Sequence, residues 1–149
     1  MDLETRVEEL LEREEGFVPY AFPDSKGYLT IGIGTLIDKR RGDGISKAAA
    51  WFMLREKVVS IAADLDAAIP WWRSLTDDRQ AVLVSMVYQM GTSGLLKFKR
   101  TLAAMQRGDY EAASAGMLAS KWAREDSPER AKRAADAMLT GSLDIGEDA

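Results

Sequence analysis

The 149-residue sequence contains neither cysteine nor histidine, and these two absences exclude several kinds of chemistry. Without cysteine there is no disulfide framework and no thiolate site for a metal ion, which fits a cytosolic origin. Without histidine there is no Ser-His-Asp triad, no histidine general base and no histidine ligand for a metal.

Long apolar runs are missing as well. No stretch approaches the roughly 20 apolar residues that a membrane helix needs. The N-terminal segment, MDLETRVEELLE, is acidic, so we expect no signal peptide. The net charge is −4, which gives no reason to expect binding to nucleic acid or to an anionic surface. We therefore expect no nucleic-acid partner and no stable membrane insertion, and a substrate outside the cytoplasmic membrane requires separate delivery.

Length and composition indicate one domain, residues 1–149, with a substantial core. Hydrophobic content of 46% and charged content of 30% are ordinary for a soluble globular protein. The predicted architecture is a β-rich lobe at about 17–45, a connecting helix at about 46–68 and a helical lobe at about 70–141. We expect the N-terminal helix, 3–15, to belong to the helical lobe. The fold class is α+β, mainly α.

Local signals place the elements. Asp2 is a helix N-cap, and Gly16 and Gly141 are helix ends. Strands are predicted at 17–22, 28–33 and 35–37, with turn chemistry at 23–27. Further helices are predicted at 46–68, 77–90, 95–106, 109–123 and 128–140, with Ser46, Thr76, Asp109 and Ser127 as caps and with breaks at Gly91 and Gly94. We expect the polar tail, GSLDIGEDA, to be frayed.

The stretch EEGFVPYAFPDSKGYLTIGIGT can bring two carboxyl groups and a hydroxyl to one place. Cleavage of an acetal needs an acid for the leaving oxygen and a second group on the opposite face that activates water. A glutamate at the helix end can serve as the acid, Asp24 as the second group, and Thr30 as a hydroxyl that positions water. Each residue alone is more often structural: a solvated glutamate, a turn aspartate and a β-branched strand residue.

Two glutamates compete for the role of the acid. At about 100° per residue, Glu14 falls on the centre of the apolar stripe of the first helix, whereas Glu15 falls near its edge. Helical periodicity therefore favours Glu14 for burial and does not select Glu15. If Glu15 is the acid, the last helical turn is expected to loosen or rotate before Gly16.

Other conspicuous residues have structural interpretations. The four tryptophans are expected to serve core packing or helix docking rather than sugar stacking: Trp51, Trp71, Trp72 and Trp122. The basic cluster of Arg130, Lys132 and Arg133 is interpreted as a solvated helix face. GIGTLI lacks the third glycine and the βαβ setting of a dinucleotide-binding motif, so that reading is rejected.

The same stretch resembles the active-site signature of the phage-type lysozymes. In that family a Glu-Gly pair is followed nine residues after the glutamate by Asp, then by Gly and Thr-x-Gly-x-Gly. Glu15-Gly16, Asp24, Gly27 and the segment 30–34 match this pattern in type and spacing. SMVYQMG at 85–91 and SKWAREDSPERAKR at 120–133 continue the resemblance in collinear order over nearly the whole chain.

The resemblance implies the two-lobed phage lysozyme fold and a cofactor-free muramidase. Such an enzyme hydrolyses the β-1,4 bond between N-acetylmuramic acid and N-acetylglucosamine in peptidoglycan, with inversion. By position, Glu15 would be the general acid, and Asp24 with Thr30 would hold the water. The resemblance places four further residues in the substrate cleft: Leu36, Tyr88, Gln89 and Thr101. It also places Arg130 near Glu15.

As a member of this family, the protein is expected to be a monomeric endolysin that acts on peptidoglycan. It would accumulate in the host cytoplasm until a holin-like protein lets it reach the wall, although delivery within a virion is an alternative. Two other functions are considered. A lytic transglycosylase can operate with one glutamate, so Asp24 and Thr30 argue against it. A non-catalytic peptidoglycan-binding domain would not need the complete Glu/Asp/Thr set.

Overall fold

The computed structural model describes residues 2–42 and 44–144 and confirms a mainly α, α+β fold. A three-stranded sheet is accompanied by six α-helices and two short helical turns in this described part of the chain. The strands are β1, Val18–Pro23; β2, Leu29–Gly32; and β3, Thr35–Leu36. The helices are α1, Leu3–Glu15; α2, Lys47–Ala68; α3, Asp77–Leu96; α4, Lys99–Gln106; α5, Tyr110–Leu118; and α6, Pro128–Thr140.

The chain divides into two compact units, Met1–Met53 and Leu54–Ala149, so the boundary falls inside α2. The first unit contains α1 and the sheet, and the second contains α3 to α6. The assignment of α1 to the helical lobe stays a prediction. In the described part of the chain, no helix combines the length and apolar character needed to cross a bilayer.

Helix α1 has the predicted bounds because both of its ends carry capping interactions. The Thr5 N–H donates to Asp2 Oδ1 at 2.9 Å, which satisfies one of the free N–H groups of the first turn. At the other end, the Gly16 N–H donates to Glu12 O at 2.8 Å, and Gly16 then leaves the helix with φ 74°. This glycine carries the chain from the helix into β1.

The sheet is antiparallel, in the order β1-β2-β3. Thr30 of β2 lies opposite Phe22 on one side and opposite Leu36 on the other. The prediction of 28–33 for the second strand is one residue too long at each end. Tyr28 still belongs to the preceding turn, and the positive φ of 69° at Gly32 ends β2.

The second unit is organised around a methionine-rich core. Its largest fully buried side chains come from α2 to α6: Leu65, Val82, Leu83, Met86, Leu95, Met105, Met117 and Met138. Ala131 and Ala135 are also fully buried and lie one turn apart on α6, which allows close packing of that helix. Trp72 and Trp122 belong to this core, as predicted, whereas Trp51 is 51% exposed and does not serve core packing.

The helix boundaries of this unit differ from the predictions at the end of α3, at the end of α5 and at the start of α4, which begins at Lys99 and not at 95. The predicted break at Gly91 is confirmed, because this residue has the non-helical angles φ 77° and ψ 164° within α3, whereas the helical segment after it runs through Gly94, where a break was also predicted, to Leu96. Helix α5 ends at Leu118, before the predicted end at 123, and a separate π-helical turn follows at Trp122–Asp126. Residues 145–149 of the predicted frayed tail lie outside the described residues.

Candidate active site

The first unit carries four of the predicted site residues. Glu15 is the last residue of α1, Asp24 lies in the β1–β2 turn, Thr30 lies on β2 and Leu36 on β3. The second unit carries the other three, Tyr88 and Gln89 on α3 and Thr101 on α4.

Asp24 organises the hairpin turn that follows β1. Its Oδ1 accepts the backbone N–H of Lys26 at 2.9 Å and that of Tyr28 at 2.8 Å. Its own N–H donates to Tyr28 O, and its carbonyl accepts from the Gly27 N–H. Within the described residues Oδ2 has no hydrogen-bond partner, so the aspartate is rigidly held by one oxygen while the other oxygen is left to accept a hydrogen bond.

Thr30 is held by the same residue that holds Asp24. Its hydroxyl donates to Tyr28 O at 3.1 Å, which leaves only oxygen lone pairs for a further partner. Thr30 is 6% exposed, whereas Leu29 and Ile33 of the opposite strand face are 45% and 43% exposed. The threonine face of β2 is therefore the buried one, and the Thr30 hydroxyl is fixed in orientation.

The structure distinguishes the two glutamates. A methyl group in place of the Gly34 hydrogen would lie 2.9 Å from Glu15 Oε2 and 3.2 Å from Glu15 Cγ. The Glu15 side chain therefore lies over the turn between β2 and β3. Both glutamates are exposed, but Glu14 pairs with Arg13 at 3.4 Å on the helix surface.

The expected loosening of α1 before Gly16 is wrong. The Gly16 N–H donates to Glu12 O at 2.8 Å, which is the regular i−4 pattern, and the helix remains α through Glu15. Glu15 reaches Gly34 through its own side chain, so no rotation of the backbone is required. Helical periodicity gives the angular position of Glu15 on α1, but it cannot show which residue outside the helix lies next to its carboxyl group.

Sequence reasoning missed Asp38, a buried carboxylate beside the sheet. Asp38 is 4% exposed and accepts four hydrogen bonds, from the Leu29 N–H and from the N–H, Nε and Nη2 of Arg40, at 2.7–2.9 Å. The Arg40 side chain, followed by the backbone N–H groups of Leu29 and Arg40, holds the pKa of Asp38 far below its ordinary value of 3.8. The spacing Asp-x-Arg after a strand was the only signal, and such pairs are common in loops.

The Asp38 network predicts a distinct dependence of stability on pH. Because the folded pKa is lowered, the contribution of Asp38 to stability is complete at neutral pH and decreases as the pH falls through 3.8, where only the unfolded chain takes up the proton. Urea midpoints between about pH 6 and pH 2.5 should fall more steeply for the native protein than for Asp38→Asn. Asp2 and Asp66 also have lowered pKa values but are common to both proteins, so parallel curves would contradict the prediction.

In the second unit, Gln89 connects two elements. The Trp122 Nε1–H donates to Gln89 Oε1 at 2.9 Å, and Gln89 Nε2 donates to Ser127 Oγ at 2.6 Å. Gln89 therefore joins α3 to both ends of the π-helical turn. The neighbouring Tyr88 is half exposed, and the Lys57 ammonium lies 5.5 Å from the centre of its ring.

Thr101 is 5% exposed and lines a groove of about 860 Å³ between α3, α4 and the end of α5. Gly116 on α5 faces it, and a Cβ atom at that position would overlap the Thr101 hydroxyl. The glycine therefore keeps room for the threonine side chain on the groove wall.

The sequence interpretation of Arg130 as part of a solvated helix face is wrong, because its side chain is partly buried and bound to α3. Its Nη2 donates to both the carbonyl and the hydroxyl of Ser85, at 3.1 and 2.9 Å, and so joins α6 to α3.

The fold and these residues define a class of protein: a mainly α chain with a small antiparallel sheet, in which the end of α1 carries one carboxyl group, Glu15, and the hairpin carries a second, Asp24, and the buried Thr30. The profile of the family described as Phage lysozyme matches residues 12–137, which include all three residues. The chain belongs to the phage lysozyme family, which confirms the resemblance. Family membership supports a lysozyme, that is, a glycoside hydrolase.

Three relatives illustrate the range of proteins to which the chain is similar. The pre-baseplate central spike protein Gp5 of Enterobacteria phage T4 is 30% identical over 91% of this chain, but this match covers only 28% of the spike protein. A probable T4-type lysozyme 1 of Dictyostelium discoideum is 25% identical over 92% of this chain and 95% of its own length. An endolysin of Acyrthosiphon pisum secondary endosymbiont phage 1 is 31% identical over 77% of this chain and 75% of its own length.

Proposed function

We propose that the protein is a muramidase that hydrolyses the β-1,4 bond between N-acetylmuramic acid and N-acetylglucosamine in peptidoglycan. The observation that carries the proposal is the shared attachment of Asp24 and Thr30 to Tyr28, with the Glu15 carboxyl group over the turn that follows the same strand. Membership of the phage lysozyme family supports it.

Glu15 is proposed as the general acid that protonates the leaving oxygen. This role requires a carboxyl group that approaches the bond without a permanent cationic partner, since an adjacent cation favours the ionised form. Within the described residues of its own unit, Glu15 has no ion-pair partner, in contrast to Glu14, which pairs with Arg13. The carboxyl group lies beside Gly34, in the space that a side chain at that position would occupy.

Asp24 and Thr30 are proposed to hold the attacking water. The Thr30 hydroxyl has given its hydrogen to Tyr28 O, and an ionised Asp24 Oδ2 can only accept. A water held by both groups therefore donates both of its hydrogens and presents a lone pair to the anomeric carbon. Asp24 then takes the proton as the C–O bond forms. Attack by a water on the face opposite the leaving group inverts the anomeric centre.

Four further residues are proposed to contact the substrate: Leu36 in the first unit, and Tyr88, Gln89 and Thr101 in the second. The exposed Tyr88 ring offers an apolar face for a sugar, and Thr101 offers a hydroxyl on a groove wall. Gln89 is proposed to act mainly by fixing Trp122, because both ends of its amide are already engaged.

In the cell, the protein is proposed to act as a monomeric, cofactor-free endolysin. It would remain in the host cytoplasm until a separate holin-like protein opens the membrane and lets it reach the wall. Similarity to a protein named endolysin supports this course. Similarity to a central spike protein supports the alternative, delivery within a virion.

Mass spectrometry of digested peptidoglycan tests the reaction. Hydrolysis adds one water for each bond cut and leaves a reducing end, whereas a lytic transglycosylase would leave 1,6-anhydro ends without added water. We expect reducing ends, with the α anomer formed first. Anhydro products would replace the proposal by the transglycosylase alternative, and saccharide binding without any new ends would support a binding domain.

A further inference from the structure

The ion pair between the buried Asp38 carboxylate and the largely exposed Arg40 side chain is connected to Asp24 and Thr30 through two consecutive peptide groups. These groups are the peptide between Gly27 and Tyr28 and the peptide between Tyr28 and Leu29. Each has its carbonyl bound on one side and its N–H bound on the other.

The first peptide group leads directly from Arg40 to Asp24. Arg40 Nη2 donates to Gly27 O at 2.7 Å, and the N–H of the same peptide group, that of Tyr28, donates to Asp24 Oδ1 at 2.8 Å. A cation bound to the carbonyl polarises the peptide and makes its N–H a stronger donor. Arg40 therefore strengthens one of the two N–H bonds that fix the Asp24 carboxylate.

The second peptide group serves both site residues. Tyr28 O accepts from the Thr30 hydroxyl at 3.1 Å and from the Asp24 N–H at 2.8 Å. The N–H of this peptide group, that of Leu29, donates to Asp38 Oδ2 at 2.9 Å. The buried carboxylate thus fixes the plane of the peptide to which Asp24 and Thr30 are both attached.

Arg40 is in turn held in one orientation. Its Nε and Nη2 bind the two oxygens of Asp38 at 2.9 and 2.7 Å, an arrangement that matches the planar fork of a guanidinium. The Asp38 side chain is only 5% exposed. The third contact of Arg40, with Gly27 O, is therefore made by a group whose direction is already set.

We propose that Arg40 is a positioning residue for Asp24, acting through the Gly27–Tyr28 peptide, and that Asp38 sets the orientation of Arg40. The inference rests on the proposed role of Asp24 in holding the attacking water. It assigns a role to an ion pair of which one member, Asp38, is buried and which would otherwise only stabilise the loop.

The adjacent arginine offers a matched control. The guanidinium groups of Arg40 and Arg41 both lie 5.0 Å from the centre of the Tyr28 ring, but in the described structure only the Arg40 side chain binds the Asp38 carboxylate and Gly27 O. Arg40→Gln should lower kcat about tenfold or more with little change in KM, because a carboxylate that is imprecisely held reacts more slowly. Arg41→Gln removes the same charge and should leave kcat near the native value. An equal loss in both variants would overturn the inference.

Two additional variants show whether the loss of kcat in Arg40→Gln arises from a folding defect. Asp38→Asn combined with Arg40→Gln removes both charges, so no unpaired carboxylate is buried, and it should show the same loss of kcat. Arg40→Lys keeps the charge without the fork and should not restore the native rate. Native kcat in the folded double variant would contradict a positioning role.

An NMR measurement separates this inference from the proposed function. The amide proton of Tyr28 should move upfield in Arg40→Gln and stay in place in Arg41→Gln, whether or not the protein cleaves peptidoglycan. An unchanged Tyr28 resonance in Arg40→Gln would refute the link through the peptide group. Absence of cleavage by the native protein, with the Tyr28 shift present, would instead refute the proposed function.

Discussion

Replacing Glu15 by glutamine is expected to abolish clearing of chloroform-treated Gram-negative cells while the circular dichroism spectrum remains native. Glutamine has almost the same shape as glutamate but carries no proton to give to the leaving oxygen. General acid catalysis contributes about 10²- to 10⁴-fold to a rate, so residual cleavage should fall at least by that factor. Because α1 is capped at Asp2 and Gly16, and not by Glu15, the helix should persist.

Glu14→Gln is the matched control for this experiment. It removes the same charge one residue earlier, from a glutamate that is exposed and paired with Arg13. We expect its clearing activity to stay close to that of the native protein. Normal clearing by Glu15→Gln would refute the proposed acid, and loss of activity in Glu14→Gln alone would give the role to the residue that helical periodicity favoured.

Gly34→Ala is expected to lower kcat by about 100-fold, the size of loss that a misplacement of about 1 Å can produce. The new methyl group would lie 2.9 Å from Glu15 Oε2, which is closer than a side-chain carbon approaches an oxygen without displacement. The carboxyl group is the end of a flexible side chain, so it can move away at little cost in stability. The substitution should therefore damage activity far more than folding.

Gly32→Ala is the control that separates displacement of the Glu15 carboxyl group from backbone strain. Gly32 and Gly34 have nearly the same positive φ, 69° and 68°, and alanine at either position should reduce stability by about 1–2 kcal/mol. A methyl group at Gly32 meets no atom within 4 Å. Thermal melts should show similar losses for the two variants, whereas steady-state rates should fall strongly only for Gly34→Ala. Similar rates in both variants would contradict the contact with Glu15.

The Asp24 turn and the Glu15 contact differ in how readily a sequence reveals them. The turn is a local structure: the Asp24 carboxylate binds N–H groups two and four residues later, so its chemistry is contained within five residues. The contact between Glu15 and Gly34 joins the end of a helix to a turn 19 positions later in the numbering. Only the path of the intervening sheet brings these residues together.

The burial of Thr30 on β2 is likewise a feature that the local sequence does not reveal. Alternation along a strand places Thr30 on the face opposite Leu29, but it cannot tell which face is buried. Apolar residues normally indicate the inner face, yet here Leu29 is exposed and the threonine is covered. In so short a strand, the neighbours on either side of the sheet determine burial, and they come from elsewhere in the chain.

By itself the sequence determined the fold class, the capped bounds of α1, the turn at Asp24 and membership of the phage lysozyme family, because these depend on local chemistry and on collinear spacing. Only the tertiary structure decided that Glu15, and not Glu14, meets the sheet, that Thr30 is buried, and that Asp38 and Arg40 reach Asp24 through the backbone of the hairpin. Each of these depends on the direction of a side chain toward a residue distant in sequence, and periodicity carries no information about that direction.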